Sequence, residues 1–177
     1  IECFRLTHRT VSGIGLDYLR PETIGPDRLA NAVAARERFG APVIAVDFGT
    51  AVTFDAVDRR GNYVGGAIAP GLSAMTGYLH EKTALLPQVS IRGTPPFIGK
   101  NTRQAILAAA VHGYRGLVRE LIAGLRRELK CRRLPVVATG GYAERMAAQV
   151  PEITAVEPLL TLEGLRLALE AHARRPV

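Results

Sequence analysis

The chain of 177 residues is short of aromatics, which make up 6% of it, and has no tryptophan, two methionines and two cysteines. Lysine is scarce too: it stands only at Lys82, Lys100 and Lys130, so arginine carries the net charge of +7. Each shortage excludes something. Cys3 and Cys131, far apart in sequence, suit reduced thiols rather than a disulfide framework. His8, His80, His112 and His172 are scattered, and no His/Cys spacing suits zinc. Binding to single-stranded nucleic acid wants cations interleaved with aromatic rings. The basic run from Arg126 to Arg133 contains none, so it reads as a solvated helix end and no nucleic-acid partner is expected. No apolar run approaches the ~20 residues that cross a bilayer, so no membrane partner is expected. Ile1-Glu-Cys-Phe-Arg-Leu-Thr-His8 lacks the basic and apolar regions of a signal peptide. A cytoplasmic protein is the expectation.

What is present is a well-patterned α/β chain, 47% hydrophobic and 22% charged, enough for one buried core. Val11 to Leu16 reads as a short strand or turn, and Pro21 to Asp27 as a loop. Asp27 can cap a helix whose apolar stripe is Leu29, Ala30, Val33 and Ala34 and which Gly40 ends. Strands are predicted over Val43–Phe48, Val52–Val57 and Tyr63–Ala69, then a helix from about Leu72 to Thr83. Pro87, Pro95 and Pro96 keep residues 85–100 extended or looped. A long helix follows from about Asn101 to Leu129. Gly113 and Gly116 inside it imply close packing on a neighbour, and Leu107, Val111, Tyr114 and Val118 suggest either a partner surface or burial within the fold. A strand from Leu134 to Thr139, a Gly140-Gly141 turn and helices from Ala143 and about Leu162 close the chain.

The chemistry-bearing stretch is Asp47-Phe-Gly-Thr50, followed by Thr53-Phe-Asp55. A carboxylate at the mouth of a buried strand, beside a turn with free N–H groups and a hydroxyl, suits a cation and a phosphate together. Gly49 lets backbone approach a phosphate, Thr50 offers hydroxyl and N–H, and Asp47 is poised for a cation. An ordinary hairpin whose aspartate bonds turn amides fits the same residues. Gly25-Pro26-Asp27-Arg28 opens a helix: Asp27 is either a cap or a base beside a hydroxyl, with Arg28 holding an anion. Gly65–Gly71 permits close backbone approach or forms a bulge and turn. Ala138-Thr-Gly140-Gly141 fits a nucleotide or a plain strand–helix turn. Gly99-Lys-Asn-Thr102 opens the long helix where an anion would be favoured. It is no Walker A loop, since the spacing is one residue too long, Asn101 replaces Ser/Thr and prolines interrupt it.

In this order and spacing, Tyr18, Gly25–Arg28, Asp47–Thr50, Thr53–Asp55, Gly65–Gly71, Gly99–Thr102 and Ala138–Gly141 resemble type III pantothenate kinases of the actin-like ATPase and sugar-kinase superfamily, over nearly the whole chain from about residue 11. The resemblance implies a fold of two related ribonuclease H-like lobes with ATP between them. It implies ATP-dependent phosphorylation of pantothenate to 4′-phosphopantothenate, the opening step of coenzyme A synthesis. Asp27 would be the catalytic base. Tyr18, Gly25, Pro26, Asp27, Arg28 and Thr102 would line the pantothenate pocket, Gly49 and Thr50 would meet ATP, and Asp47 would bind a monovalent cation, K+ or NH4+, with Mg2+ on the phosphates. A homodimer is implied as well.

The chain departs from the family pattern in one respect. The family opens with another Asp-x-Gly-Asn-Thr-type phosphate loop, and no such motif occurs here. Residues 1–40 are therefore expected to be the tail of a first lobe and residues 41–177 a whole second lobe, an actin-like β-meander with helices. The absent loop and the absent starting methionine give the expectation of a fragment of low activity. A non-catalytic regulatory or binding relative of the same fold is the alternative reading.

Overall fold

The computed structural model describes residues 3–174; the outermost residues of the two expected units, 1–2 and 175–177, lie outside that range. Apolar β-branched runs divided by tight turns produce a meander: β2 (Val43–Phe48), β3 (Ala51–Val57) and β4 (Asn62–Pro70), each antiparallel to the next. β5 (Val136–Thr139) returns parallel to β2. Two edge strands of two residues each, β1 (Gly15–Leu16) and β6 (Ala155–Val156), complete the order β1-β4-β3-β2-β5-β6 among the described residues. They are too short to carry an alternating pattern, and only the first lies where a strand or turn was expected. A meander flanked by parallel strands on the side of its first strand is the actin-like lobe the motifs implied.

Helices cover both faces. On one, α1 (Pro26–Phe39) and α6 (Leu160–Ala173) pack together over Val43, Ala45, Val57 and Tyr63. Their crossing is close, because Gly164 lies directly on the Ala30 carbonyl, where a Cβ would not fit. On the other, α4 (Tyr114–Glu128) and α5 (Ala143–Ala147) cover Ile44, Val46, Phe48, Val52 and Phe54. Alternation along β2 and β3 sends successive residues to opposite cores.

Several expectations need correction. Asp27 does not cap α1: Gly25 is the cap residue, Pro26 takes the first helical position, and no side chain bonds the free N–H groups. The long helix spans α3 (Thr102–Ala108), one π-type turn (Ala109–Gly113) and α4, with Asn101 capping its start by accepting from the Gln104 N–H at 3.0 Å. Gly113 and Gly116 are exposed and meet no neighbour, so they do not mark close packing. Tyr114 and Val118 are buried in the lobe's own core and Val111 is buried as well, so none of the three offers an exposed partner surface. In the π turn, His112 stacks on Phe97 at 3.8 Å and its Nε2 bonds the Pro95 carbonyl at 2.8 Å. That contact, with Arg145 donating to the Ile91 and Gly93 carbonyls, pins the proline-rich segment between α2 (Ala74–Lys82) and α3.

Candidate active site

The chemistry gathers on the sheet face that looks at α1. The register sets Asp47 opposite Thr53 and Ala45 opposite Asp55, so Asp47, Thr53 and Asp55 share one face, joined by Tyr63 of β4. Two polar networks tie that face to the helices.

The first centres on Asp55, which is completely buried. Arg28 Nε donates to its Oδ1 at 2.7 Å, the Tyr63 hydroxyl to the same oxygen at 3.0 Å, and the Thr53 hydroxyl to Oδ2 at 3.2 Å. Burial pushes the Asp55 carboxyl up to about 6, held back from rising further by the Arg28 charge and by its hydrogen bonds to Tyr63, Arg28 and Thr53. Burial opposes the Arg28 cation, but the neighbouring Asp55 charge, with Tyr63 and Tyr18, leaves its pKa above the ordinary value. Burial first, and then Asp55, drives the Tyr63 hydroxyl pKa upward, so it stays a donor. Tyr18 meets the Tyr63 ring edge-on at 5.7 Å, and the Arg28 guanidinium carbon lies 5.8 Å from that ring's centroid.

The second network runs from the sheet through both helices. Asn31 of α1 donates from Nδ2 to Asp47 Oδ2 at 3.2 Å and accepts on Oδ1 from the Thr161 hydroxyl of α6 at 2.7 Å. Burial pushes the Asp47 carboxyl up; the Asn31 bond opposes this and the Asp27 charge adds to it.

Around Asp47 three turns converge. Gly49 N donates to the Ala51 carbonyl at 3.0 Å, and Gly71 N to the Thr50 carbonyl at 2.9 Å. Gly140 sits at φ 90°, where a Cβ would come 2.5 Å from Asp47 Oδ1 and 2.7 Å from the Phe48 carbonyl. Thr50 is exposed, and its hydroxyl makes no hydrogen bond among the described residues.

The structure thus assembles Tyr18, Gly25, Pro26, Asp27, Arg28 and Asp47 around one end of α1, with Gly49 and Thr50 on the adjoining turn. Asp27 is exposed in the first turn of α1. Arg28 is only 7% exposed, with Nε committed to Asp55. Thr102 stands apart: it is exposed at the start of α3, and among the described residues no hydrogen bond or ring contact ties it to Tyr18 or Asp27. Sequence reasoning missed Asn31, Tyr63 and Thr161, and gave Asp55 no role. Asp55 had a signal: a carboxylate at an inward position of an apolar strand needs a buried partner. A groove of about 850 Å³ opens between β4 and α4, lined by Gly65, Gly66, Leu121 and Leu125; of the expected site residues only Tyr18 reaches it.

Among the described residues no three His, Cys, Asp or Glu side chains cluster as a metal cage. The half-buried Asp47 carboxylate offers the oxygen donors that a hard cation takes, and Mg2+ carried on nucleotide phosphates would need no such cage.

Residues 1–124 match the family model described as type III pantothenate kinase. The chain belongs to the type III pantothenate kinase family. It is 49% identical over 164 residues to the type III pantothenate kinase of Methylacidiphilum infernorum, covering 92% of this chain and 60% of that one. It is 49% identical over 166 residues to that of Akkermansia muciniphila, covering 94% and 68%. The chain thus spans 60–68% of the length of these two pantothenate kinases. A conserved Baf family protein from Campylobacter jejuni has the same fold, with a TM-score of 0.64 at 18% identity over 95% of this chain and 72% of that one.

Proposed function

We propose that the protein transfers the γ-phosphoryl group of ATP to the terminal hydroxyl of pantothenate. The observation that carries this is the placement of Asp27, exposed in the first turn of α1, the helix whose Arg28 bonds Asp55 and whose Asn31 bonds Asp47. Family membership supplies the substrate pair. Phosphoryl transfer asks little covalent work of a protein and much positioning and charge neutralisation. Asp27 orients the hydroxyl and takes its proton late, as the catalytic aspartate of a protein kinase does. Tyr18, Gly25, Pro26, Arg28 and Thr102 hold pantothenate. Thr50 and the Gly49 backbone meet the phosphates. Asp47, oriented by Asn31, holds K+ or NH4+, and Mg2+ accompanies ATP and neutralises its phosphates.

Residues 1–40 form the tail of a preceding lobe and 41–177 the second lobe: β2 to β6 with α4 to α6 complete the lobe's sheet, to which β1 adds only two residues. A homodimer is the expected assembly, supported by the exposed Leu85, Phe97 and Ile98. Sedimentation tests it, and a monomer at micromolar concentration sinks it. The function itself is tested by ADP release with and without pantothenate and K+. Pantothenate-dependent release, abolished in Asp27→Asn, is expected; release indifferent to pantothenate overturns the assignment.

A further inference from the structure

We propose that Asp55 is a positioning residue for the substrate carboxylate: with Tyr63 and Thr53 it fixes Arg28 through Nε, leaving the two Nη groups to face pantothenate. This rests on the kinase reading above.

The geometry is asymmetric. A guanidinium offers five N–H donors in a rigid fork. Here Nε alone is used, on Asp55 Oδ1 at 2.7 Å. Neither Nη makes a hydrogen bond among the described residues, and neither is among the buried atoms left without a partner, so both keep access to solvent. The residue as a whole is nevertheless only 7% exposed. Arg28 is thus a cation sunk in the fold with its forked end free. It follows Asp27 directly at the start of α1 and lies beside Tyr63, whose ring carries Tyr18. Pantothenate is a carboxylate at one end and a hydroxyl at the other. A cation next in sequence to the base can anchor the acid end while the hydroxyl meets Asp27.

Asp55 cannot touch the substrate, because it has no exposed surface. It accepts from Arg28, Tyr63 and Thr53, a set that fixes the carboxylate plane and through it the guanidinium. A surface arginine would lose side-chain entropy on gripping a ligand; one clamped beforehand loses less.

The test is steady-state kinetics on the intact protein with Asp55→Asn, Tyr63→Phe, Arg28→Lys and the double variant Arg28→Lys/Asp55→Asn. Asp55→Asn is expected to raise the pantothenate KM about tenfold and Tyr63→Phe about threefold, with the ATP KM unchanged. In the Arg28→Lys background, Asp55→Asn should add almost nothing, since its effect passes through the fork. A general packing role predicts the opposite: additive losses, with both KM values moving together. That result, or an unchanged pantothenate KM in Tyr63→Phe, overturns the inference even if Asp55→Asn fails to fold. Absence of pantothenate-dependent turnover even with a first phosphate-binding lobe supplied brings down the kinase reading and this inference with it. Normal turnover with an unmoved KM in the variants removes this inference alone.

Discussion

The two faces of the central sheet are built from neighbouring residues and do different work. Toward α4 and α5, β2 and β3 present Ile44, Val46, Phe48, Val52 and Phe54, a continuous apolar layer. Toward α1 and α6 the same strands present Asp47, Thr53 and Asp55 among Val43, Ala45 and Val57. The pleat places these sets one residue apart, so a single strand holds the molecule together with one side and, on the proposed function, acts with the other. Every carboxylate that enters a network on the second face has a partner from a helix or a neighbouring strand. Those partners make that face specific, at a cost in desolvation that the apolar face does not incur.

The sharpest test lies on the acting side. Asp27→Asn should lower turnover by about 10²–10⁴-fold, the range for losing a general base, while leaving the urea midpoint in place. Unfolding of that variant would show the two roles are not separable. On the holding side, Phe54→Ala should cost about 3–5 kcal/mol in urea denaturation, because Phe54 is fully buried. Tyr63→Phe on the opposite face should cost much less while raising the pantothenate KM. Equal stability losses would erase the distinction between the faces.

Acidity provides a third probe. The folded-state pKa of Asp55, about 6, lies above the ordinary 3.8. Between those values the folded protein keeps a proton that the unfolded chain has released, so the Asp55 contribution falls as pH rises from about 4 to about 6. The total is roughly 3 kcal/mol at most. Comparing urea midpoints at both ends of that window, the wild type should lose more than Asp55→Asn; parallel losses would refute the assignment.

Gly140→Val should cost about 1–3 kcal/mol from its left-handed backbone alone and should weaken ATP binding by crowding Asp47. An unaltered ATP KM would separate that turn from the site. The smallest effect belongs to the half-exposed pair of Arg119 with Glu152 at 2.7 Å. Arg119→Ala should cost no more than about 1 kcal/mol in the same denaturation, and less in high salt.

Periodicity and punctuation in the chain were enough to place the meander, the helix after Pro26 and the strand before Gly140 to within a residue or two, since runs such as Val43–Phe48 have only one compact use. The ordered motifs likewise drew Asp27, Asp47 and Thr50 out as the proposed base, cation ligand and phosphate turn, and the structure brings the first two to the same end of α1. Local pattern misled where it implied a neighbour. Gly113 and Gly116 looked like contact points and lie open, and Val111, Tyr114 and Val118 looked available and are buried.

What the residues determined alone was therefore which elements form and which side chains are candidates for chemistry. Tertiary structure decided who meets whom. Arg28 and Asp55 are 27 residues apart, and Asn31 and Thr161 are 130 apart. No spacing rule reaches across such distances. A buried carboxylate announces that it needs a partner, but only the crossing of α1 over the sheet selects Arg28, and only the close contact of α1 with α6 brings Thr161 to Asn31.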